Sequence, residues 1–208
     1  VPEEAGRGSL PDKLVEQYAE TLRALCLDTF AYTLTIAESG RLTSAEAISR
    51  LRAAPPWQSA YPPGPYATEG DDDLTLIAIG NGIVTLDGIN PDPHRKELTD
   101  RLAGPGLRHW YLAQDIEGNS TLYVRHGDAE GEVQCPEPLA DEFTPWTKFL
   151  GPLTPYTALL ASLYDDMELD ATAMFLAIIE HESGVRFDRA LLDKPSLNVP
   201  ADPQRPVE

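Results

Sequence analysis

Four residues combine useful chemistry with a regular setting: His109, Tyr111, His126 and Glu180. Arg108-His109-Trp110-Tyr111-Leu112-Ala113 reads as a strand, so alternation puts His109 and Tyr111 on one face and Trp110 on the other. Thr121 to His126 reads as the next strand. Beside His126 or Tyr123, His109 would line a pocket over the sheet, as a general base between aromatic walls. Glu180-His181-Glu182 offers an acid/base pair or metal ligands, but neighbouring residues on a helix point apart and the H-E-x-x-H spacing of a zinc protease is missing. A solvated helix end is the plainer reading of that triplet.

A second set of residues suits binding. Residues 54–73 hold five prolines with Trp57, Tyr61 and Tyr66, and end in Asp71-Asp72-Asp73. Such a run cannot be regular helix. Its aromatics either pin the loop to the core or present anchors to a partner, with the three aspartates beside them. Asp165, Asp166, Glu168 and Asp170 form another acidic run, without the glycine and spaced oxygens of a calcium loop. No G-x-S-x-G elbow, phosphate-binding glycine loop or CxxC pair occurs, so no metal or cofactor is assigned. Cys26 falls on an apolar helix face and reads as a buried thiol. Cys135 lies near a strand end, and pairing between the two stays open.

Charge narrows the partners. The chain has 34 acidic and 16 basic residues among 208, a net −18. Direct binding to nucleic acid or to an anionic membrane is disfavoured; the charge reads either as solubility in an acidic proteome or, functionally, as a surface for a basic protein or a mimic of a polyanion. No apolar run reaches the roughly 20 residues that span a bilayer, and the first residues lack a signal-peptide core, so the cytoplasm is the expected location.

The elements that must position these groups follow from periodicity. Leu14, Tyr18, Leu22 and Leu25 stripe a helix over 10–26. Phe30 to Ile36 alternates large apolar residues with Ala and Thr, as a half-buried strand does. Thr43 to Glu46 has capping-box spacing and opens a short helix with Ala45, Ile48 and Leu51 inward. Leu74 to Asp87 is a hairpin about Gly80-Asn81-Gly82, apolar on both faces and expected at the centre of the sheet. Asp92-Pro93 opens a helix to about Ala103, with Leu98 and Leu102 inward. A weak strand at 132–134 follows the strand that contains His126. Thr154-Pro155 and Asp170 start two helices, of which Ala171 to Ile179 is apolar almost all round and deepest. The fold class is α+β: a mainly antiparallel sheet of about five strands with helices packed on it. One domain covers 1–195, with its N-terminal helix at 10–26, sheet region at 29–135 and helical region at 139–193. Residues 196–208 are polar and proline-rich, a flexible tail.

The series Ala78-Ile79-Gly80-Asn81-Gly82-Ile83-Val84-Thr85-Leu86-Asp87-Gly88, a helix and then a two-stranded segment resembles an uncharacterised actinobacterial domain family whose hairpin reads G-x-W-T-V-V-x-E-x-x-G. Glu182-Ser183-Gly184-Val185-Arg186-Phe187-Asp188, followed by Leu191-Leu192-Asp193, is similar to that family's ending. Gly82-Ile83 stands where the family has Trp, and Leu86-Asp87 where it has Glu. The resemblance covers about residues 26–193. It implies a single-domain architecture and carries no activity.

Two functions fit. One is a non-enzymatic acidic protein-binding domain, such as an inhibitor or immunity-type partner of a basic protein, with Trp57, Tyr61, Tyr66, Asp71, Asp72 and Asp73 as contacts. The other is a small enzyme with a pocket between sheet and helices, acting on a small organic substrate of specialised metabolism through His109, Tyr111, His126 and Glu180 by acid/base or shape-directed cyclisation chemistry. A small-molecule ligand remains open in either case.

Overall fold

β1 (Phe30–Ala37) is the middle strand of a seven-stranded sheet and is buried along all eight of its residues. The computed structural model describes residues 10–27, 29–53, 73–87, 100–135, 150–165, 169–200 and 206–207. Before β1 comes α1 (Asp12–Leu25). After it come α2 (Ser44–Arg52), β2 (Leu74–Ile79), β3 (Gly82–Asp87), β4 (Leu107–Gln114), β5 (Ser120–His126) and β6 (Ala129–Cys135). A 3-10 segment, Gly151–Tyr156, leads into α3 (Thr157–Asp165), α4 (Ala171–Ser183), α5 (Arg189–Leu192) and β7 (Ser196–Val199). Among the described residues every strand pairing is antiparallel, in the order β6-β5-β4-β1-β3-β2-β7.

The α+β class is as the sequence implies, but the sheet has seven strands rather than about five. Ser196–Val199, expected in a mobile tail, is instead an edge strand paired to β2, with Leu76 opposite Leu197. Its four residues lie between Pro195 and Pro200, and a short, proline-bounded strand is hard to recognise without its partner. The 74–87 hairpin is not central; it lies between β1 and that edge. It is covered on both faces, as its apolar pattern requires.

The two faces of the sheet differ in chemistry. On the first, Phe30, Tyr32, Leu34 and Ile36 of β1 join Ile77, Val84, Trp110, Leu112, Leu122 and Val124 under α1 and α4. α4 fits that place because Thr172 to Ile179 are all buried. Asp170 caps its N-terminus through the Ala173 N–H at 2.9 Å, and Gly184 ends it in a left-handed conformation. Phe187 follows directly and stacks on Phe30 and edge-on to Tyr32. On the second face the hairpin end is apolar: Leu74, Leu76 and Ile83 pack with Leu42, Ala47, Leu51, Leu102 and Val199. The middle of that face carries Ala31, Thr33, Thr35, Thr85, His109, Tyr111 and Tyr123, all buried. The alternation in β1 therefore separates large from small side chains, not dry from wet ones.

Smaller differences have local causes. The capping box of α2 forms, with Glu46 N–H donating to Thr43 Oγ1 at 3.2 Å and Thr43 N–H donating to Glu46 Oε2 at 2.9 Å. Ala47 and Leu51 are its buried residues, whereas Ala45 is exposed. Cys26 is exposed rather than buried, because it takes a left-handed conformation (φ 53°) where α1 ends and leaves the helix stripe. Cys26 and Cys135 are both free thiols. Residues 54–72, 88–99 and 136–149, and with them most of the helix expected from Asp92, lie outside the described residues.

Two glycines are required by close approach. A Cβ at Gly82 would stand 2.2 Å from the Thr35 carbonyl oxygen of β1. A Cβ at Gly151 would stand 1.9 Å from the Glu130 carbonyl oxygen of β6, and Gly151 is also left-handed (φ 47°). Gly82→Ala and Gly151→Ala should each destabilise the fold by roughly 1–3 kcal/mol, the usual cost of overpacking. Urea unfolding of the two variants measures this, with Gly40→Ala, left-handed (φ 76°) but with nothing within 4 Å, as the comparison that carries backbone strain without a clash.

Candidate functional site

β1 and β4 run antiparallel with Thr35 opposite His109, and β5 places Arg125 on His109's other side. This register brings Thr35, His109, Tyr111 and Tyr123 to the second face. Thr35 Oγ1 and His109 Nδ1 are 2.8 Å apart, and the ring of Tyr123 meets the imidazole edge-on at 6.3 Å between centroids. Among the described residues His109 Nε2 is buried without a hydrogen-bond partner, and it stands 4.0 Å from Asp100 Oδ1. That contact is not an ion pair, because the imidazole is neutral. Burial, then the charges of Arg125 and His126, pulls its pKa down to about 3. Burial, reinforced by the Asp100 carboxylate, raises the Tyr123 phenol above its ordinary value. At neutral pH this buried cluster contains a hydroxyl, an uncharged imidazole and two phenols. A general base works best with a pKa near the operating pH, and this imidazole lies far below it.

His126 and Glu180 belong to the opposite face. Alternation in β5 turns His126 toward Trp110, against which it packs edge-on at 5.1 Å. Burial, then Arg108, lowers its pKa to about 4. Glu180 accepts a hydrogen bond from the Tyr18 hydroxyl, which itself accepts from the Phe187 N–H at 3.2 Å. Burial and that carboxylate raise the Tyr18 pKa. The sheet thus divides the four candidates into two pairs, and a single pocket containing all four does not form.

The end of α4 is not simply solvated. Arg108 on β4 donates to Glu182 Oε2 at 2.6 Å and to the Glu182 carbonyl at 3.0 Å. Tyr156 donates to Glu182 Oε1 at 2.6 Å, and the Arg108 guanidinium lies 4.8 Å above the Trp110 ring. Charge-assisted contacts of this kind hold the helix end against the sheet. His181 alone of the triplet is exposed. Sequence reasoning missed Thr35, Asp100, Arg108 and Tyr156; strand register is the signal that would have linked Thr35 to His109 and Arg108 to His126.

Of the six binding candidates, Trp57, Tyr61, Tyr66, Asp71 and Asp72 lie outside the described residues. Asp73 is partly exposed and accepts a hydrogen bond from Asn198 Nδ2 at 2.9 Å, tying the start of β2 to β7. A groove of about 310 Å³ between the β2 end and α5 is lined by Ile79, Val185, Arg186, Ala190, Leu191 and Lys194, and by none of the named candidates. Among the described residues no three His, Cys, Asp or Glu side chains form a group that could hold a metal ion, and no helix is long and apolar enough to cross a membrane. No family model matches the chain, and no curated protein or solved structure matches it.

The two buried histidines make stability depend on pH. Both folded pKa values lie below the unfolded value of about 6.5, so the unfolded chain binds more protons as pH falls. Their contribution is complete above about pH 6.5 and is lost as pH falls toward 3–4. The loss at pH 5 is at most about 2 kcal/mol per histidine. Urea midpoints compared at neutral and mildly acidic pH should fall for the native chain. In His109→Gln the drop should be smaller, even though that variant starts less stable. An equal drop in both would show that His109 gains a proton in the folded state.

Proposed function

We propose that the protein is a non-enzymatic acidic binding domain that engages a basic protein, as an inhibitor or immunity-type partner does. The observation that carries this reading is the net charge of −18. Complementary charge speeds encounter and rejects wrong partners, while buried apolar anchors supply most of the affinity. The division of His109 and Tyr111 from His126 and Glu180 supports a binding role over catalysis by those four residues. The resemblance to the actinobacterial family is compatible with this reading and adds no activity to it.

A second reading, a small enzyme with a pocket, is favoured by one feature: the buried, unpartnered Nε2 of His109 beside Asp100. Acid/base or cyclisation chemistry on a small organic substrate would then depend on His109.

Affinity against salt separates the two. A basic partner purified on the full chain should rebind with an affinity that falls steeply as salt rises. Replacing Asp71, Asp72 and Asp73 together by Lys should weaken binding several-fold at low salt and flatten the salt dependence. Affinity that does not change with salt would remove the charge-based reading. Turnover of a small substrate that is lost in His109→Gln would establish the second.

A further inference from the structure

We propose that the end of the molecule formed by the Asp115–Asn119 turn and the start of α4 is a docking surface for a basic protein with an apolar recess. The proposal rests on the reading above and adds the place of contact. Among the described residues, two large hydrophobic side chains are exposed: Ile116 at 87% and Leu169 at 37%. They are far apart in sequence but share one end of the fold. Gln114 and Ser120 pair at the last rung of β4 and β5, and Ser120 Oγ bonds Thr172 Oγ1 at 2.5 Å. Ile116 therefore stands just beyond the sheet, and Leu169 just before the helix that touches it.

Carboxylates adjoin both in sequence. Asp115 and Glu117 flank Ile116, and Asp170 follows Leu169. The chain enters β1 at this same end from α1, whose last turn contributes Arg23 as a cation. Single exposed hydrophobics are ordinary on a protein surface. The coincidence of both at one acidic end is what points to a partner, because an apolar centre with a charged rim is the pattern of a binding patch. A second copy of the chain would bring like charges together, so the occupant is a basic partner.

The turn is also built to hold its shape. Asp115 accepts from the N–H groups of Glu117 and Asn119, each at 2.9 Å, and from Asn119 Nδ2 at 2.8 Å. Gly118 supplies the left-handed position, with φ 83°. Partial burial pushes the Asp115 carboxyl up, but these hydrogen bonds outweigh it and hold its pKa below the ordinary value. A fixed turn presents Ile116 with little ordering cost on binding.

The test uses the full chain, isotopically labelled, and two peptide probes of equal positive charge: one alternating Arg with Leu, the other alternating Arg with Ser. The Arg/Leu peptide should bind several-fold more tightly, with chemical-shift changes concentrated at residues 115–119 and 169–172. Ile116→Ser combined with Leu169→Ser should lower Arg/Leu affinity about tenfold, to the level of the Arg/Ser peptide. Ile116→Ser alone should give part of that loss, and unfolding curves should confirm that both variants stay folded. Equal affinity for the two peptides, or shifts concentrated elsewhere, overturns the surface while the basic-partner reading stands. Self-association of the native chain that Ile116→Ser abolishes also overturns it, since the occupant is then a second copy. Failure of both peptides to bind even at low salt overturns the surface and the basic-partner reading together.

Discussion

Burial of β1 on both faces is the constraint from which the rest of the structure follows. A strand with one wet face needs a single layer of helices. A strand buried throughout needs cover on each side, and the two sides of β1 ask for different cover. Phe30, Tyr32, Leu34 and Ile36 require a broad apolar surface, which α4 supplies with Thr172 to Ile179 and α1 extends with Tyr18 and Leu22. Fully burying side chains of this size contributes roughly 1.5–3 kcal/mol each. Ala31, Thr33 and Thr35 are small, and two of them carry hydroxyls that must find partners in the interior. Thr35 finds His109.

That pairing explains the state of the imidazole. A histidine used to satisfy a buried hydroxyl is surrounded by protein rather than water, and burial is the largest cause of its lowered pKa. Arg125, opposite it on β5, disfavours the charged form further. The same register that makes His109 a good partner for Thr35 thus makes it a poor general base. Position on the second face also separates it from Glu180, which is tied through Tyr18 to the packing of α1 on α4. Each candidate has a structural partner nearer than the other face of the sheet.

Much of this architecture could be read from the chain, because local signals and tertiary packing agree. Thr43 and Glu46, Asp170, Gly184 and the Gly80-Asn81-Gly82 turn each do locally what their residue types favour. Periodicity correctly put Trp110 on the face opposite His109. Apart from Cys26, whose left-handed conformation is a local matter, the misses were long-range. β6 reads in the sequence only as a weak strand over 132–134, because Glu130, Gly131 and Glu132 have little strand propensity, and β7 has four residues; both reach their full length because a neighbour offers a ladder. Arg108 meets Glu182 across 74 residues of sequence, so neither could be recognised as a clamp from spacing. His126 could be matched to His109 by strand proximity, but only register showed that they face opposite ways.

Charge completes the logic of the fold. A chain with a net −18 repels itself when compact, and the interior offers no relief because carboxylates are costly to bury without partners. The structure meets this by giving several acids defined local work. Asp170 and Asp188 cap helices, Glu46 closes a capping box and Asp115 closes a turn. Glu180 and Glu182 accept from tyrosines at the end of α4. Such contacts fix where negative charge sits. At the Asp115 turn and the start of α4, fixed charge and exposed hydrophobic side chains occur together, and at that end they serve each other. On the proposed docking surface the carboxylates would oppose a second acidic copy, and the apolar pair would add a contact to a basic partner that salt alone does not weaken.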